Sequence, residues 1–411
     1  MPEPAGWKYD KIIKKMFDPA APERLFLGRV IPCTDDTVIE DGYVHVKDGK
    51  IAGVGARAAL GAVPATAEVV DTGGKTIMPG MINSHAHLSW DGIHDLVQQS
   101  RYDSPEMRAY KAAGNMLKSL RAGITLVRDL GVHNANLFTR QAVAQGVFPG
   151  PRLLVSGESI IQTGGHTYWV CREASGADEM RRAVRDQVKG GADLIKIMAC
   201  HDTLEFTDAE LAAVIDEAHR NRLPVTAHAT YNDCIKRVAE FGVDCIEHGG
   251  SMTDETIQIL LDRKLPIVTT FSALVLQANP EIARAFAIPE WKITERQAAV
   301  ADKKRFDGLV RAARAGVPIV FGTDAGSPAV EHHQIAPELA FMVEVGVCPD
   351  NLDALRSITA RAAVLSRMDD KIGTLEVGKL ADLIVVNGKP DLDLKALERV
   401  EMTFIDGKRM H

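Results

Sequence analysis

The sequence lacks a long apolar run and a block of basic residues, and each absence excludes a class of protein. No stretch reaches the roughly 20 apolar residues that a membrane-spanning helix requires. The net charge of −7 comes from interspersed acidic and basic side chains, so nothing resembles the basic stripe of a nucleic-acid or anionic-membrane partner. Residues 1–18 carry charges, Pro and Gly where a signal peptide has an apolar core, so we expect a cytoplasmic location.

Cysteine is also sparse and irregularly spaced. The six cysteines contain no CxxC pair, which argues against a local metal knuckle and against a disulfide framework. We therefore predict reduced thiols that serve as small core or wall residues.

What the chain does have is enough apolar sequence for a large core. It contains 411 residues, of which 46% are hydrophobic and 25% charged, so we expect one large or two unequal domains. Eight short runs rich in β-branched residues alternate with stretches of helical periodicity, and this alternation predicts an α/β fold of the (β/α)₈ TIM-barrel type. The predicted strands are Thr76–Met81, Ile124–Arg128, Leu153–Ser156, Leu194–Met198, Pro224–Ala227, Cys245–Glu247, Ile267–Thr270 and Pro318–Phe321.

Both ends of the chain have a different texture. Short strand-like runs separated by Asp-Gly and Asn-Gly turns occur before the first barrel strand and again near the C-terminus. We predict a small discontinuous β-sandwich domain from residues 1–75 plus 371–411, with the catalytic barrel in residues 76–370.

Metal-ligand residues stand at the predicted ends of several barrel strands. They are His85, His87, Lys196, His228, His248 and Asp324. The C-terminal strand ends of a (β/α)₈ barrel converge on one mouth, so residues far apart in sequence can meet there. Imidazoles and a carboxylate suit a divalent ion such as Zn²⁺, and residues two apart on a strand, such as His85 and His87, point the same way.

Lys196 is the unusual member of this set because it lies inside an apolar run. Burying an ammonium is costly, so the residue is either paired in a salt bridge or neutral. A neutral amine reacts with CO₂ to form a carbamate, and the two carbamate oxygens can bridge two divalent ions. We therefore predict two metal ions, with Zn²⁺ as the expected metal, and a carboxylated Lys196.

Asp324 is the predicted proton carrier. It lies among small residues at the eighth strand end, where it can approach both a metal and a substrate. A metal-bridging water has a lowered pKa and attacks as hydroxide, while Asp324 takes its proton and returns it to a leaving amine. This chemistry is metal-assisted hydrolysis of an amide-like C–N bond.

These motifs, taken together, resemble the amidohydrolase superfamily in its imidazolonepropionase-like and prolidase-like branch. The matching segments are 78–87 (MPGMINSHAH), 123–129 (GITLVRD), 163–166 (TGGH), 191–196 (GADLIK), 246–249 (IEHG), 322–326 (GTDAG) and 373–382 (GTLEVGKLAD). The resemblance covers nearly the whole chain, and all six ligand positions of the family hold the expected residue types.

Four further residues are candidate pocket contacts. His166 follows the third strand and stands next to glycines, which allow the backbone to approach a substrate closely. We expect it to contact substrate or the tetrahedral oxyanion. Tyr231 is a candidate hydrogen-bond donor to a substrate carboxylate or carbonyl, with packing in the pocket wall as the alternative. Tyr168 is a weaker candidate contact. Arg128 could bind a substrate carboxylate, although an internal ion pair with Asp129 or another acid is the competing interpretation. Trp90 and Trp169 are expected to line the mouth and to favour an apolar or aromatic substrate portion.

The loop at 199–206 departs from the resembled family. Relatives acting on dipeptides usually have a longer Gly-rich loop after the lysine strand, whereas this chain runs quickly into the next helix. The family resemblance is therefore a weaker argument for a dipeptide substrate in this chain. His201 lies in the shortened loop and is either a pocket contact or a solvent-facing histidine.

The leading functional prediction is a binuclear amide hydrolase. The expected substrate is that of a prolidase-like dipeptidase or carboxypeptidase, or an N-acyl amino acid. The alternatives are hydrolysis of a cyclic amide, carbamate or xenobiotic aryl amide, a mononuclear deaminase, and a non-catalytic scaffold. A deaminase is disfavoured because Lys196 is present and the sequence after His228 lacks the nearby glutamate. We further expect a small-molecule substrate, no nucleic-acid or membrane partner, and assembly into a homo-oligomer.

Overall fold

A computed structural model describes residues 22–62, 65–201 and 203–411 of the chain. The prediction that residues 1–18 do not form a signal peptide lies outside these ranges. Within them, no helix is both long enough and apolar enough to cross a membrane.

The strands of the described part fall into three sets of hydrogen-bonded neighbours. In chain order they are β1 (Arg24–Val30), β2 (Ile39–Lys47), β3 (Lys50–Ala56), β4 (Glu68–Pro79), β5 (Met81–Ala86), β6 (Ile124–Asp129), β7 (Arg152–Val155), β8 (Ile160–Ile161), β9 (Arg172–Glu173), β10 (Ile195–Met198), β11 (Val225–Ala229), β12 (Cys245–His248), β13 (Ile267–Thr269), β14 (Ile319–Phe321), β15 (Leu383–Val386), β16 (Val400–Ile405) and β17 (Lys408–Arg409).

The barrel consists of eight parallel strands: β5, β6, β7, β10, β11, β12, β13 and β14. Strands β5 to β7 pair in parallel, and so do β10 to β14. The amide of Asp193, just before β10, donates to the carbonyl of Val155 in β7 at 2.8 Å. At the other seam, the amide of Asp324 donates to the carbonyl of His85 at 3.0 Å and the amide of His87 to that of Ala325 at 2.8 Å. The ring therefore has the predicted (β/α)₈ order.

Helices follow the barrel strands on the outside. In chain order they are α1 (Leu96–Tyr102), α2 (Pro105–Arg121), α3 (Ala135–Ala144), α4 (Ala177–Gly190), α5 (Asp208–Arg220), α6 (Asn232–Phe241), α7 (Asp254–Asp262), α8 (Ser272–Ala278), α9 (Pro280–Ala285), α10 (Glu290–Ala301), α11 (Asp307–Ala315), α12 (Ala336–Glu344), α13 (Asn351–Ile358) and α14 (Ala360–Leu365). Several begin at a residue whose side chain accepts from an otherwise unpaired amide. Thr207 and Glu210 form a reciprocal capping box at α5, and Thr253 caps α7.

Both chain ends contribute to one further sheet, with the strand order β17-β16-β15-β4-β1-β2-β3. Ile51 of β3 hydrogen-bonds to the backbone of Lys379 and Gly378, which brings this edge back towards β15. Buried side chains from both ends, including Phe26 and Phe404 with ring centroids 4.9 Å apart, fill the interior. The predicted small β domain of both termini is thus present.

The first barrel strand differs from its prediction. Residues 76–79 complete β4 and pair with β15 of the terminal sheet, and the barrel strand begins at Met81. Gly80 lies between the two sheets, where an added Cβ would meet Oγ1 of Thr125 at 2.3 Å. One continuous apolar run thus supplies strands to two sheets, which periodicity alone could not separate.

The cysteine prediction was wrong for one pair. Cys200, after β10, and Cys234, in α6, form a disulfide, with their Cα atoms 6.4 Å apart. The other four cysteines are free thiols. Because the elements after neighbouring barrel strands lie side by side, residues 34 apart in sequence meet, which spacing alone did not indicate.

Candidate metal centre

Four of the predicted ligands form one continuous group of imidazoles at the mouth of the barrel. The ring centroids of His85 and His87 are 5.3 Å apart, those of His85 and His248 4.9 Å, and those of His228 and His248 4.4 Å. The strands β5, β11 and β12 carry these residues at or just beyond their C-terminal ends.

Asp324 joins the first pair of histidines. Its Oδ1 lies 3.0 Å from Nε2 of His87 and 3.4 Å from Nε2 of His85. Ligands of a tetrahedral zinc ion at ordinary bond lengths are separated by about 3.3 Å. The three side chains therefore fit a common divalent ion with little rearrangement. Asp324 and His248 both have positive φ angles, 59° and 73°, which turn the chain sharply at the ends of their strands.

The other ring nitrogens of the two histidines on β5 are already engaged. Nδ1 of His85 lies 2.8 Å from Oε2 of Glu247, and Nδ1 of His87 lies 3.2 Å from the carbonyl oxygen of Gly131. Both partners are acceptors, so each Nδ1 donates and each Nε2 keeps its lone pair for a metal.

Glu247 is the centre of a buried polar network behind the ligands. Its side chain is fully buried. The carboxylate accepts hydrogen bonds from the guanidinium of Arg128 at 2.9 Å and from the hydroxyl of Thr226. Burial acts to raise the pKa of Glu247, but the charge of Arg128 and the hydrogen bond from His85 outweigh it and hold the pKa well below its usual range. The carboxylate is therefore ionised and acts only as an acceptor.

Arg128 has an internal partner instead of the predicted substrate carboxylate. Its guanidinium donates to Glu247 and to the carbonyl of Ser84, and the residue is buried. These contacts match the alternative prediction, in which Arg128 forms an internal ion pair. The acid in this pair is Glu247 and not Asp129. Asp129 instead accepts from the amide of Leu88 and the side chain of Asn136, which fixes the loop that follows His87.

Lys196, His228 and His248 are the remaining predicted ligands. Lys196 is only 2% exposed and pairs in register with Thr226, whose hydroxyl reaches Glu247 in the barrel interior. Burial lowers the pKa of Lys196 more than the nearby carboxylates raise it, which favours the neutral amine. Nε2 of His228 is buried and has no hydrogen-bond partner among the described residues. An orphaned imidazole nitrogen of this kind fits a metal ligand.

Burial keeps the second pair of histidines neutral. It lowers the pKa of both His228 and His248 well below the ordinary value for histidine, as does the charge of neighbouring groups. Nδ1 of His248 lies 2.6 Å from Oγ1 of Thr270, which fixes the orientation of the ring. Neutral imidazoles are the form that binds a metal.

The predicted pocket residues lie on loops around the same mouth. His166 is half-buried, and its ring lies 5.1 Å from that of His228. Tyr231 precedes α6 and is half-buried, while Tyr168 is 46% exposed. Trp90 packs 5.0 Å from the ring of His87 and stacks on Trp169. The mouth therefore has an apolar aromatic wall beside His87.

Two carboxylates of the site were missed by sequence reasoning. Glu247 is a charged residue inside an apolar strand, which is the same signal that singled out Lys196. Glu205 is buried, accepts from the amide of His166 and from Gln162, and thereby joins two mouth loops. Nothing in the local sequence indicated Glu205.

Comparison with known proteins agrees with this fold. The model of the amidohydrolase family matches residues 76–410. The ochratoxinase of Aspergillus niger is 27% identical over 365 residues, which covers 78% of this chain and 72% of that protein. The crystal structure of a Xaa-Pro dipeptidase with methionine bound in its active site has a TM-score of 0.83 and 28% identity, covering 94% of this chain and 99% of that one. A prolidase complexed with N-methylphosphonate-L-proline gives a TM-score of 0.82 and 28% identity over 94% and 99% of the two chains.

The barrel, its terminal β domain and the cluster of ligands at the mouth are those of a metal-dependent hydrolase. The chain belongs to the amidohydrolase family. Its members act on small molecules, and the chain is a metal-dependent amidohydrolase. Two groups of side chains in the described part of the chain are arranged to hold a divalent ion, His85 with His87 and Asp324, and His166 with His201 and His228.

Proposed function

We propose that this chain is a binuclear hydrolase that cleaves the amide bond of an aminoacyl or N-acyl amino acid. The observation that carries the proposal is the meeting of two ligand groups at one mouth, with the buried Lys196 on a strand between them. His85, His87 and Asp324 would hold the first ion, and His228 with His248 the second. Carboxylated Lys196 would bridge the two.

The proposed carboxylation follows from the surroundings of Lys196. A buried ammonium without a dedicated partner is costly, whereas a neutral amine forms an N–C bond to CO₂ and releases a proton. The carbamate then carries a negative charge and two oxygens at a position where a positively charged centre stabilises it. Zn²⁺ is the proposed metal because imidazole and carboxylate ligands suit it.

When bound, the ions would supply Lewis acidity towards the scissile carbonyl and lower the pKa of a water. The chain's own part is proton transfer and positioning. Oδ1 of Asp324 faces His85 and His87, so we assign Oδ2 as the atom that takes the proton of the attacking water. As the C–N bond breaks, the same oxygen returns the proton to the leaving amine. His166 donates a hydrogen bond to the carbonyl oxygen as it gains negative charge.

The proposed substrate class follows from the walls of the mouth. The aromatic pair Trp90 and Trp169 beside His87 suits an apolar or aromatic group on one side of the scissile bond. Prolidases and an ochratoxinase are among the similar proteins. Their similarity supports two substrate classes, dipeptides and larger amides. We favour N-acyl and aminoacyl amino acids with an apolar side chain. Aryl amides are the second candidate, because the short loop at 199–206 replaces a longer one in the resembled dipeptidases.

The decisive experiment combines metal analysis with a substrate panel. Protein reconstituted with Zn²⁺ and bicarbonate is expected to hold two tightly bound ions per chain and to hydrolyse Xaa-Pro dipeptides, N-acyl amino acids or aryl amides. Lys196→Ala is expected to lose activity by at least about 100-fold. Added formate or acetate should restore part of it, since a free carboxylate can occupy the position of the carbamate.

A matched control separates carboxylation from a general defect. Lys236→Ala removes a half-buried lysine of α6 that pairs with Glu255 and should leave metal content and activity unchanged. Full activity of Lys196→Ala, or a single tight ion in the wild-type protein with bicarbonate, would contradict the binuclear proposal.

A further inference from the structure

A second group of imidazoles contains His228, which is one of the six predicted ligands, and two histidines that are not. Donor nitrogens of His166, His201 and His228 all lie within 4.8 Å of one another. The group runs outwards from the buried His228 through the half-buried His166 to the exposed His201. An ion arriving from solvent can therefore reach it directly.

The loop that carries His201 is held firmly at its base. Cys200 pairs with Leu204 in an isolated bridge, and the amide of Glu205 donates to the carbonyl of Ala199 at 3.0 Å. The disulfide from Cys200 to Cys234 ties the same base to α6. His201 thus directly follows Cys200, which the bridge to Leu204 and the disulfide to Cys234 hold in place.

The loop that carries His166 is joined to the loop of His201. Oε1 of Glu205 accepts from the amide of His166 at 3.2 Å, and Oε2 accepts from Gln162 at 2.7 Å. The two imidazole rings stack with centroids 4.0 Å apart and an angle of 8° between their planes. The lone pair of an imidazole nitrogen lies in the plane of its ring, so the stacked rings do not converge as they stand. Rotation of one ring about its Cβ–Cγ bond would bring a nitrogen of each onto a shared ion, for which tetrahedral zinc needs a ligand separation of about 3.3 Å.

We propose that His166, His201 and His228 form an outer position for the second divalent ion, alternative to the inner position at His228, His248 and the Lys196 carbamate. The inference rests on the proposed function, because it concerns the second ion of that centre. A neutral imidazole has one lone pair, so His228 binds one ion at a time and the two positions exclude each other.

Carboxylation of Lys196 decides between the two positions. With the carbamate present, the inner position offers two imidazoles and a negatively charged bridge. Without it, the inner position keeps only His228 and His248, whereas the outer position still offers three imidazoles. The second ion therefore occupies the outer position in uncarboxylated protein and moves inwards when CO₂ adds to the lysine.

The test compares the affinity of the second ion in three variants made on a Lys196→Ala background. Zn²⁺ or Co²⁺ is titrated against a chelator of known affinity, and the Co²⁺ absorption spectrum reports the number of ligands. Adding His201→Phe should weaken the second ion at least tenfold, while adding His248→Phe should change it less than threefold. His219→Phe, at the opposite end of the barrel strands, is the matched control and should have no effect.

The opposite order of effects, or a second ion indifferent to both His201→Phe and His248→Phe, would overturn the outer position. So would the complete absence of a second ion in Lys196→Ala. Wild-type protein in CO₂-free buffer provides an independent background should Lys196→Ala not fold: His201→Phe should weaken the second ion there and lose that effect on addition of bicarbonate. A single tight ion in wild-type protein with bicarbonate would count against the binuclear function. The effect of His201→Phe in uncarboxylated protein tests the outer position independently of that result.

Discussion

Nδ1 of His85 lies 2.8 Å from Oε2 of Glu247, and the other oxygen of this carboxylate accepts a hydrogen bond from the guanidinium of Arg128. Arg128 keeps the carboxylate ionised, and an ionised carboxylate only accepts hydrogen bonds. His85 is thereby held as the tautomer with its proton on Nδ1 and its lone pair on Nε2, facing Asp324. The relationship links a buried ion pair to the orientation of a candidate metal ligand.

Replacing Glu247 with Gln should weaken metal binding. The amide can accept from His85 with its oxygen or donate with its nitrogen, so the tautomer is no longer fixed, and Arg128 loses its counter-charge. We expect a fall of about 10- to 100-fold in the affinity of the first ion. Titration of the apoprotein with Zn²⁺ against a competing chelator measures it.

Glu240→Gln, an exposed change on α6, is the control for this titration and should leave the affinity unaltered. An unchanged affinity in Glu247→Gln, with the fold intact by circular dichroism, would mean that Glu247 only supports the core.

His166→Asn should lower turnover while the tight ions remain bound. His166 lies beside His228 but is not among the ligands of the inner centre, so in bicarbonate-loaded protein both ions should stay. Loss of one hydrogen bond to the developing negative charge typically costs about 100- to 1,000-fold in kcat. Steady-state kinetics with parallel metal analysis tests this; a change in KM alone would assign His166 to ground-state binding.

Much of the barrel, and the meeting of the candidate ligands at its mouth, was predictable because both depend on local patterns. Each βα unit has its own strand run and helical period, and each ligand lies where such a run ends. The first strand was misplaced because Gly80 joins two strands of different sheets within one apolar run. A long-range β pairing decided that boundary, and the sequence around it has no separate signal for the pairing.

The contacts around the candidate ligands were less predictable than the positions of those residues at the strand ends. Glu247 and Arg128 are 119 residues apart, and their pairing requires both side chains to face the barrel interior. Cys200 and Cys234 are likewise 34 residues apart, and Glu205 lies 39 residues from the His166 amide that it accepts from. Such contacts depend on the register of neighbouring strands and on loop conformations, neither of which a single sequence specifies.

The disulfide should stabilise the folded chain measurably. In the chain-entropy model, closing a loop of 34 residues lowers the entropy of the unfolded state by an amount worth about 3–4 kcal/mol. Cys200→Ser/Cys234→Ser should lower the free energy of unfolding accordingly in urea titrations. Cys171→Ser, which removes a free thiol, is the control.

Thiol counting gives an independent reading. Denatured, unreduced protein should expose four reactive thiols out of six, and reductant should raise the number to six. Six thiols without reductant would contradict the disulfide and restore the prediction of reduced cysteines.

A last prediction concerns Glu338, a buried carboxyl of α12. Oε2 accepts from the amide and hydroxyl of Ser272, but burial outweighs these bonds and raises the pKa to about 7 from 4.5. The folded state therefore binds this proton more tightly than the unfolded state. Its stabilising contribution is full below pH 4.5 and is lost as the pH rises through about 7.

The shift corresponds to roughly 3 kcal/mol, at 1.36 kcal/mol per pKa unit. Glu338→Gln keeps an acceptor for Ser272 and has no proton to lose, so its unfolding free energy should lack this decline. The difference between variant and wild type, measured by urea unfolding of metal-free protein from pH 5 to 8.5, should grow in favour of the variant and level off above about pH 8. Glu344→Gln, at the exposed end of the same helix, should follow the wild-type curve. Parallel curves for Glu338→Gln and wild type would mean that the carboxyl is ionised in the folded protein throughout this range.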